Sequence, residues 1–163
     1  MIEIASIHTI LLREMTQDDL PIFYEQQLDQ EANYMAAFTS KDPTDRLAFN
    51  VHWEKIMADQ GITIRTILYD GQVAGSVLCH AWGGEPEISY WLGKEFWKRG
   101  IATQGLALFL DVVTVRPLHA RVAKDNIASI RVLEKNGFAL AGEGKWYSNA
   151  RGKEIGELVW VFR

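Results

Sequence analysis

Glu87-Ile88-Ser89-Tyr90-Trp91-Leu92-Gly93-Lys94-Glu95-Phe96-Trp97-Lys98-Arg99-Gly100-Ile101-Ala102-Thr103 is the stretch on which the reading of this chain turns. It reads as a strand, a short basic loop and the first turn of an apolar helix. Lys98 and Arg99 stand just before Gly100 and Ala102, the small residues where that helix begins. Small residues let backbone N–H groups approach an anion closely, and the helix dipole favours negative charge at that end. Two readings fit: a phosphate cradle, or an ordinary strand-to-helix turn. No Gly-Lys-Ser/Thr follows the glycine and no G-x-G-x-x-G opens a helix. A P-loop and a dinucleotide fingerprint are therefore both absent, which counts against a nucleotide-binding module of another fold.

A second stretch, Arg121-Val122-Ala123-Lys124-Asp125-Asn126-Ile127-Ala128-Ser129-Ile130-Arg131-Val132-Leu133-Glu134-Lys135-Asn136-Gly137-Phe138, reads as a strand end, a capped helix and a glycine stop. Together the two stretches resemble the GNAT superfamily of acetyl-CoA-dependent N-acetyltransferases. They are closest to its ribosomal-protein N-terminal (alanine) acetyltransferase branch. The family's cofactor motif, Gln/Arg-x-x-Gly-x-Gly/Ala, stands here as Trp97-Lys98-Arg99-Gly100-Ile101-Ala102. Trp97 departs from the usual polar first position, as it often does in that branch. The resemblance runs from about Ile10 to the C-terminus. It implies an α/β (α+β) GNAT fold, a mixed central sheet of about seven strands flanked by about four helices, in one domain spanning 1–163.

The chain has 163 residues, 48% of them apolar, which suits one globular domain and argues against disorder. A formal net charge of −4 counts against nonspecific nucleic-acid binding, so any basic site is local, as Lys98 and Arg99 would be. The single cysteine, Cys79, excludes an intramolecular disulfide and reads as a small buried hydrophobe in a strand. Met1 to Ser6 lacks the basic start of a signal peptide, and no apolar run approaches the ~20 residues of a membrane span. The expectation is a cytoplasmic protein, monomer or homodimer, with an amine acceptor as its partner and no nucleic acid, membrane or metal.

Ile7 to Arg13 reads as a first strand, and Thr16 as the N-cap of a helix reaching about Leu28. Glu31 to Phe38 is a short helical or irregular piece. Asp42-Pro43-Thr44 opens a further helix with Leu47, Val51, Glu54 and Ala58 along one side. Strands Ile62–Tyr69 and Val73–His80 flank Asp70-Gly71, a strong hairpin signal. A turn at Gly83–Pro86, the strand Glu87–Leu92 and a helix from Arg99 to Val113 follow. That helix carries apolar residues over so wide an arc that little of it is left to water. A strand Leu118–Ala123, a helix capped by Asn126 and stopped by Gly137, and strands at about Phe138–Trp146 and Glu154–Phe162 complete the order.

The resemblance implies specific roles. Lys98 to Thr103 would cradle the pyrophosphate of acetyl-CoA. The backbone of Tyr90, Trp91 and Leu92 would carry the pantetheine arm, with the Leu92 N–H on the thioester oxygen. The side chains of Tyr90 and Trp91 read as strand packing. Asn126 matches a cofactor-side asparagine, and equally reads as a plain N-cap. Many members place a thiolate-protonating tyrosine where Leu133 stands; in the closest branch a serine matching Ser129 serves, although Ser129 also reads as a first-turn cap. Glu87 is the best-placed general base, one residue off the position of the glutamate in some relatives, with Glu85 and His80 in reserve. An offset of one turns a strand side chain to the other face unless a bulge intervenes. The function implied is acetyl transfer to a primary amine, on a protein N-terminus or a small molecule, by direct attack in a ternary complex. The rival is a noncatalytic acyl-CoA-binding or sensing domain. Acceptor choice would fall to Glu31–Phe38 and Trp146–Arg151.

Overall fold

The computed structural model describes residues 7–163, so the reading of Met1 to Ser6 lies outside the described residues. Seven strands form one sheet in the order β1-β2-β3-β4-β5-β7-β6. They are β1 (Ile10–Glu14), β2 (Thr63–Tyr69), β3 (Gln72–His80), β4 (Glu87–Leu92), β5 (Leu118–Ala123), β6 (Ala139–Ser148) and β7 (Lys153–Phe162). Five helices cover it: α1 (Leu20–Gln27), α2 (Gln30–Ala36), α3 (Arg46–Ala58), α4 (Ile101–Val112) and α5 (Ile127–Lys135). Every strand pair is antiparallel except β4 with β5. The mixed seven-stranded sheet is the expected one, with five helices where about four were expected.

The turn chemistry acts where the sequence places it. Asp70 (φ 49°) and Gly71 (φ 81°) are both left-handed, the conformation that closes a two-residue hairpin with the twist of its strands. Gly137 (φ 86°) ends α5, with its N–H bonded to Glu134 and that of Phe138 to Leu133. Asp29 caps α2 by accepting from the Ala32 N–H at 2.8 Å. Asp45, rather than the Asp42–Thr44 turn, caps α3 through the Ala48 N–H at 2.9 Å.

The sheet separates two apolar layers. On one face α4 and α5 bury Ile101, Leu106, Phe109 and Leu133 against Val77, Ile88, Leu118 and Trp160. On the other, α1 and α3 bury Phe23, Phe49, Trp53 and Ile56 against Leu78. The α3 face is thus Phe49-Trp53-Ile56, not the Leu47-Val51-Glu54-Ala58 stripe, and Leu47 is 73% exposed. Two stripes compete on this helix, and the aromatic one removes more apolar area from water. α4 begins at Ile101 rather than Arg99, and its Leu108 and Val112 stay open to solvent, so its covered arc is narrower than its apolar arc.

Asp19 ties α1 to the sheet. It is 2% exposed and takes two bonds from Arg13 of β1 (2.7 and 2.8 Å), one from the Thr66 hydroxyl of β2 (2.7 Å) and one from the Thr16 N–H (3.0 Å). Burial opposes its charge, but these donors outweigh burial and hold its pKa below the ordinary 3.8. A depressed carboxyl pKa contributes stability that is complete above the unfolded value and is lost as pH falls through the folded one. Asp19→Ala should therefore lower unfolding free energy by about 3 kcal/mol at pH 7. Urea midpoints measured from pH 6 downward should show wild type converging on the variant below the ordinary aspartate range.

Candidate active site

Strands β4 and β5 meet at a single register position, Glu87 opposite His119, and then diverge. The His119 N–H bonds Pro86 O, and the Gly93 N–H bonds Ala74 O of β3. Backbone groups of a strand alternate sides, so the N–H groups of Tyr90 and Leu92 point toward β5, where the ladder has already ended. The predicted Tyr90-Trp91-Leu92 segment is therefore an open edge inside the sheet.

The opposite edge of β4 is held close. β3 carries one extra residue, Ala74, between the positions paired with Ile67 and Leu68. The bulged carbonyl accepts from Gly93 N–H (2.9 Å) and from Gln26 Nε2 of α1 (3.2 Å). Next to it Gly75 lies so near β4 that an added Cβ would stand 1.9 Å from Trp91 O. The bulge and this glycine fix where β4 runs.

The basic loop follows directly. A single 3-10 turn, Lys94–Phe96, precedes Trp97, whose indole N–H returns to Leu92 O at 3.1 Å. Lys98 (φ 62°) and Gly100 (φ 73°) are left-handed, and Gly100 is the N-cap of α4. The first intrahelical bond runs from Gln104 N–H to Gly100 O, which leaves the N–H groups of Ile101, Ala102 and Thr103 without helical acceptors. The Arg99 guanidinium lies 5.6 Å over the Tyr69 ring, and Lys98 is exposed.

Beyond the divergence stands α5. Asn126 Oδ1 accepts from Ser129 N–H (3.3 Å), so the cap reading of Asn126 is present in the structure, and its Nδ2 donates to Met35 O of α2 (3.2 Å). Ser129's hydroxyl caps nothing; it lies 2.5 Å from Tyr90 Oη. Leu133 is 1% exposed in the core. Tyr90 thus does more than pack, a contact the sequence hid because it spans 39 positions.

Glu87 faces the other way. The β3–β4 register is unbroken from Gly75 opposite Leu92 to His80 opposite Glu87, so no bulge turns Glu87 to the Tyr90 side. Its carboxylate lies 3.6 Å from Arg121 Nε, and Arg121 Nη1 bonds Glu157 at 2.9 Å. Glu157, 4% exposed, also takes the Trp146 indole N–H at 3.0 Å. Burial raises the Glu87 pKa above its ordinary 4.5, Arg121 opposes the rise and Glu157 adds to it. Glu85 is exposed, with its carboxylate 3.4 Å from His119 Nε2, and His80 is stacked on Trp82 with ring centres 4.0 Å apart. His80 thus stands opposite Glu87 on β3, and Glu85 reaches His119, the register partner of Glu87 on β5; Glu87 is the carboxylate that meets both Arg121 and the field of Glu157. That cluster was not read from the sequence; opposite charges on Arg121 and Glu157 were the available signal, without a register to join them.

The two segments assigned to acceptor choice are brought together over this face. Ser148 donates to Ala37 O (2.6 Å), Asn149 to Thr39 O (2.9 Å) and Arg151 to Tyr34 O (3.0 Å). A groove of about 400 Å³ lined by His52, Ile56 and Trp82 contains none of the predicted site residues.

The parallel strand pair opens beyond one position and a left-handed glycine turn starts the next helix, the arrangement that the resemblance to the acetyltransferase family implies. Residues 9–139 match the family model described as an acetyltransferase (GNAT) domain, and the chain belongs to that family of enzymes. No curated protein matches the chain by sequence. Solved structures of the same fold include Mycobacterium smegmatis RimJ in complex with CoA-disulfide, with a TM-score of 0.79 and 22% identity over 94% of this chain and 81% of that one. Ribosomal-protein-alanine N-acetyltransferase from Brucella melitensis has a TM-score of 0.77 and 21% identity over 93% and 98%. Spermidine N-acetyltransferase from Vibrio cholerae, in complex with CoA and spermine, has 0.74 and 15% identity over 93% and 95%.

Gly75→Ala should destabilise the fold by about 3 kcal/mol, since its Cβ meets backbone that cannot yield without moving β4. Gly142→Ala, with nothing within 4 Å of the added atom, is the control and should be near neutral in the same denaturation series.

Proposed function

We propose that the protein transfers acetyl from acetyl-CoA to a primary amine, on a protein N-terminus or a small molecule, by direct attack in a ternary complex. The observation that carries this reading is the open β4 edge at Tyr90–Leu92, which leads straight into the left-handed turn at Gly100. An amide-bearing arm fits that edge as an added strand. The acceptorless N–H groups of Ile101, Ala102 and Thr103, with Lys98 and Arg99 beside them, suit its phosphates. Acetyl-CoA, when bound, supplies the thioester carbonyl that the amine attacks.

The remaining work falls to side chains and backbone of this chain. Trp97 anchors the loop to Leu92 and so couples the cradle to the strand. The Leu92 N–H stabilises the developing oxyanion, a contribution of about 3 kcal/mol in comparable sites. Asn126 holds the first turn of α5, and Ser129 offers its hydroxyl to the departing thiolate. Glu87 accepts the amine proton from the opposite face, and its raised pKa makes it a stronger base than an exposed glutamate. Cys79 is buried in the core, and burial raises its thiol pKa, which supports direct attack over an acetyl-cysteine. The CoA complexes named above support the donor, and the ribosomal-protein and spermidine enzymes support an amine acceptor. A cytoplasmic location follows from the same reading, together with a single buried thiol. Among the described residues no helix is long and apolar enough to cross a membrane.

Thiol release from acetyl-CoA with a panel of N-terminal peptides and polyamines tests the activity directly. Gly100→Trp should reduce CoA affinity at least about tenfold by calorimetry, because it fills the phosphate approach and strains a left-handed residue. Unchanged affinity in the folded variant removes the cradle.

Glu87→Gln should lower kcat/KM about 100-fold with a slow-reacting amine. The base works ionised, so wild-type kcat/KM should rise with pH through a value above 4.5, and that limb should vanish in the variant. A variant that keeps the wild-type pH profile excludes Glu87 as the base.

A further inference from the structure

Ser129 has one proton to donate, and something must decide where it points. Strand alternation sets Tyr90 on the α4–α5 face with Ile88 and Leu92, and its phenol reaches across the divergence of β4 and β5 to the first turn of α5. Tyr90 Oη lies 2.5 Å from Ser129 Oγ and 3.3 Å from Ser129 O. The first distance is a short hydrogen bond, and the second exceeds the usual range for a hydroxyl donor. We infer that Tyr90 is a positioning residue: it donates to Ser129 Oγ and thereby frees the serine proton for the sulfur of the leaving thiolate. The inference rests on the role proposed above for Ser129.

The direction of the bond follows from acidity. A phenol is a far stronger donor than an aliphatic hydroxyl, so in a short contact between the two the tyrosine supplies the proton. Burial pushes the Tyr90 pKa up to about 12, against the opposing pull of its bond to Ser129, so the phenol keeps its proton at working pH. The serine backbone is fixed independently, because its N–H is held by Asn126. Rotation about one side-chain bond is then the remaining freedom, and the phenol restricts it. Hydrogen bonds in such a chain polarise one another, which strengthens the last donor.

No proton leaves Tyr90 in this step. The amine nitrogen forms a bond to the acyl carbon, the carbon–sulfur bond breaks, and its electron pair goes to sulfur. The amine proton goes to Glu87, and the thiolate is stabilised by the Ser129 O–H.

The test uses the full chain, acetyl-CoA and the amine that wild type acetylates fastest. Tyr90→Phe removes one oxygen. It should lower kcat about tenfold while KM for acetyl-CoA and the melting temperature stay close to wild type. In a Ser129→Ala background the same change should cost nothing further, since there is no longer a hydroxyl to orient. A thioester with a more acidic thiol needs less help and should lose less activity in Tyr90→Phe. Wild-type kcat in Tyr90→Phe, or an equal loss with and without Ser129, overturns the inference. Should Tyr90→Phe fail to fold, 3,5-difluorotyrosine at position 90 makes the donor more acidic while keeping its hydroxyl. A kcat change that disappears with Ser129→Ala then supports the inference, and no change overturns it. Absence of thiol release by wild type with every amine would instead overturn the proposed activity.

Discussion

Everything at the site depends on a parallel pair of strands that stays together for one residue. A sheet normally spends its backbone groups on its neighbours, and a buried N–H without a partner is costly. Here β4 and β5 part after Glu87 and His119, while the outer edge of β4 remains fully paired with β3. The chain can keep such an opening only because β4 is gripped from the other side. The Ala74 bulge, the backbone-tight contact at Gly75 and the amide of Gln26 supply that grip. The result is a row of aligned donors that need not reorganise when a ligand arrives, the arrangement that makes electrostatic stabilisation effective.

The opening also divides labour between the two faces of the sheet. Tyr90 and Ser129 meet on the α4–α5 side, among apolar residues. Glu87, Arg121 and Glu157 meet on the other, in a charged cluster to which the Trp146 indole donates a hydrogen bond. In the function proposed above, the group that accepts a proton and the group that steadies an anion are thereby kept apart, on opposite faces of β4. Their environments are correspondingly different: burial beside a second carboxylate for Glu87, burial against hydrocarbon for Tyr90.

Elements whose boundaries depend on local chemistry were legible in the sequence. Glu87–Leu92 and Leu118–Ala123 were read to the residue, and the Asp70-Gly71 turn was recognisable from the conformations those residues tolerate. The left-handed Gly100 and the capping Asn126 were legible for the same reason. What failed required knowledge of partners. Either stripe of α3 satisfies a helical period, and only the facing sheet decides that Phe49, Trp53 and Ile56 are the buried set. The β6 strand runs through Tyr147 to Ser148 because it pairs with Lys153 and Glu154, which no single-strand pattern announces. The Tyr90–Ser129 and Arg121–Glu157 contacts join residues 39 and 36 positions apart, and their pairing is a property of the sheet register.

Among the described residues, α2 adds none to the two apolar layers, and Ala32 is its one buried hydrophobic side chain. The helix and the residues that follow it are fastened largely by polar links: Lys94 to Glu31, Asn126 to Met35 O and Arg151 to Tyr34 O on the helix, Ser148 to Ala37 O and Asn149 to Thr39 O just beyond it. Each such link gains little over the bond to water that replaces it as it breaks. A segment held this way opens far below the cost of global unfolding. The amides of residues 30–39 would then exchange with solvent ahead of those in β5 and β7, so the covering of this face is a door hung on hydrogen bonds in a frame built of hydrocarbon.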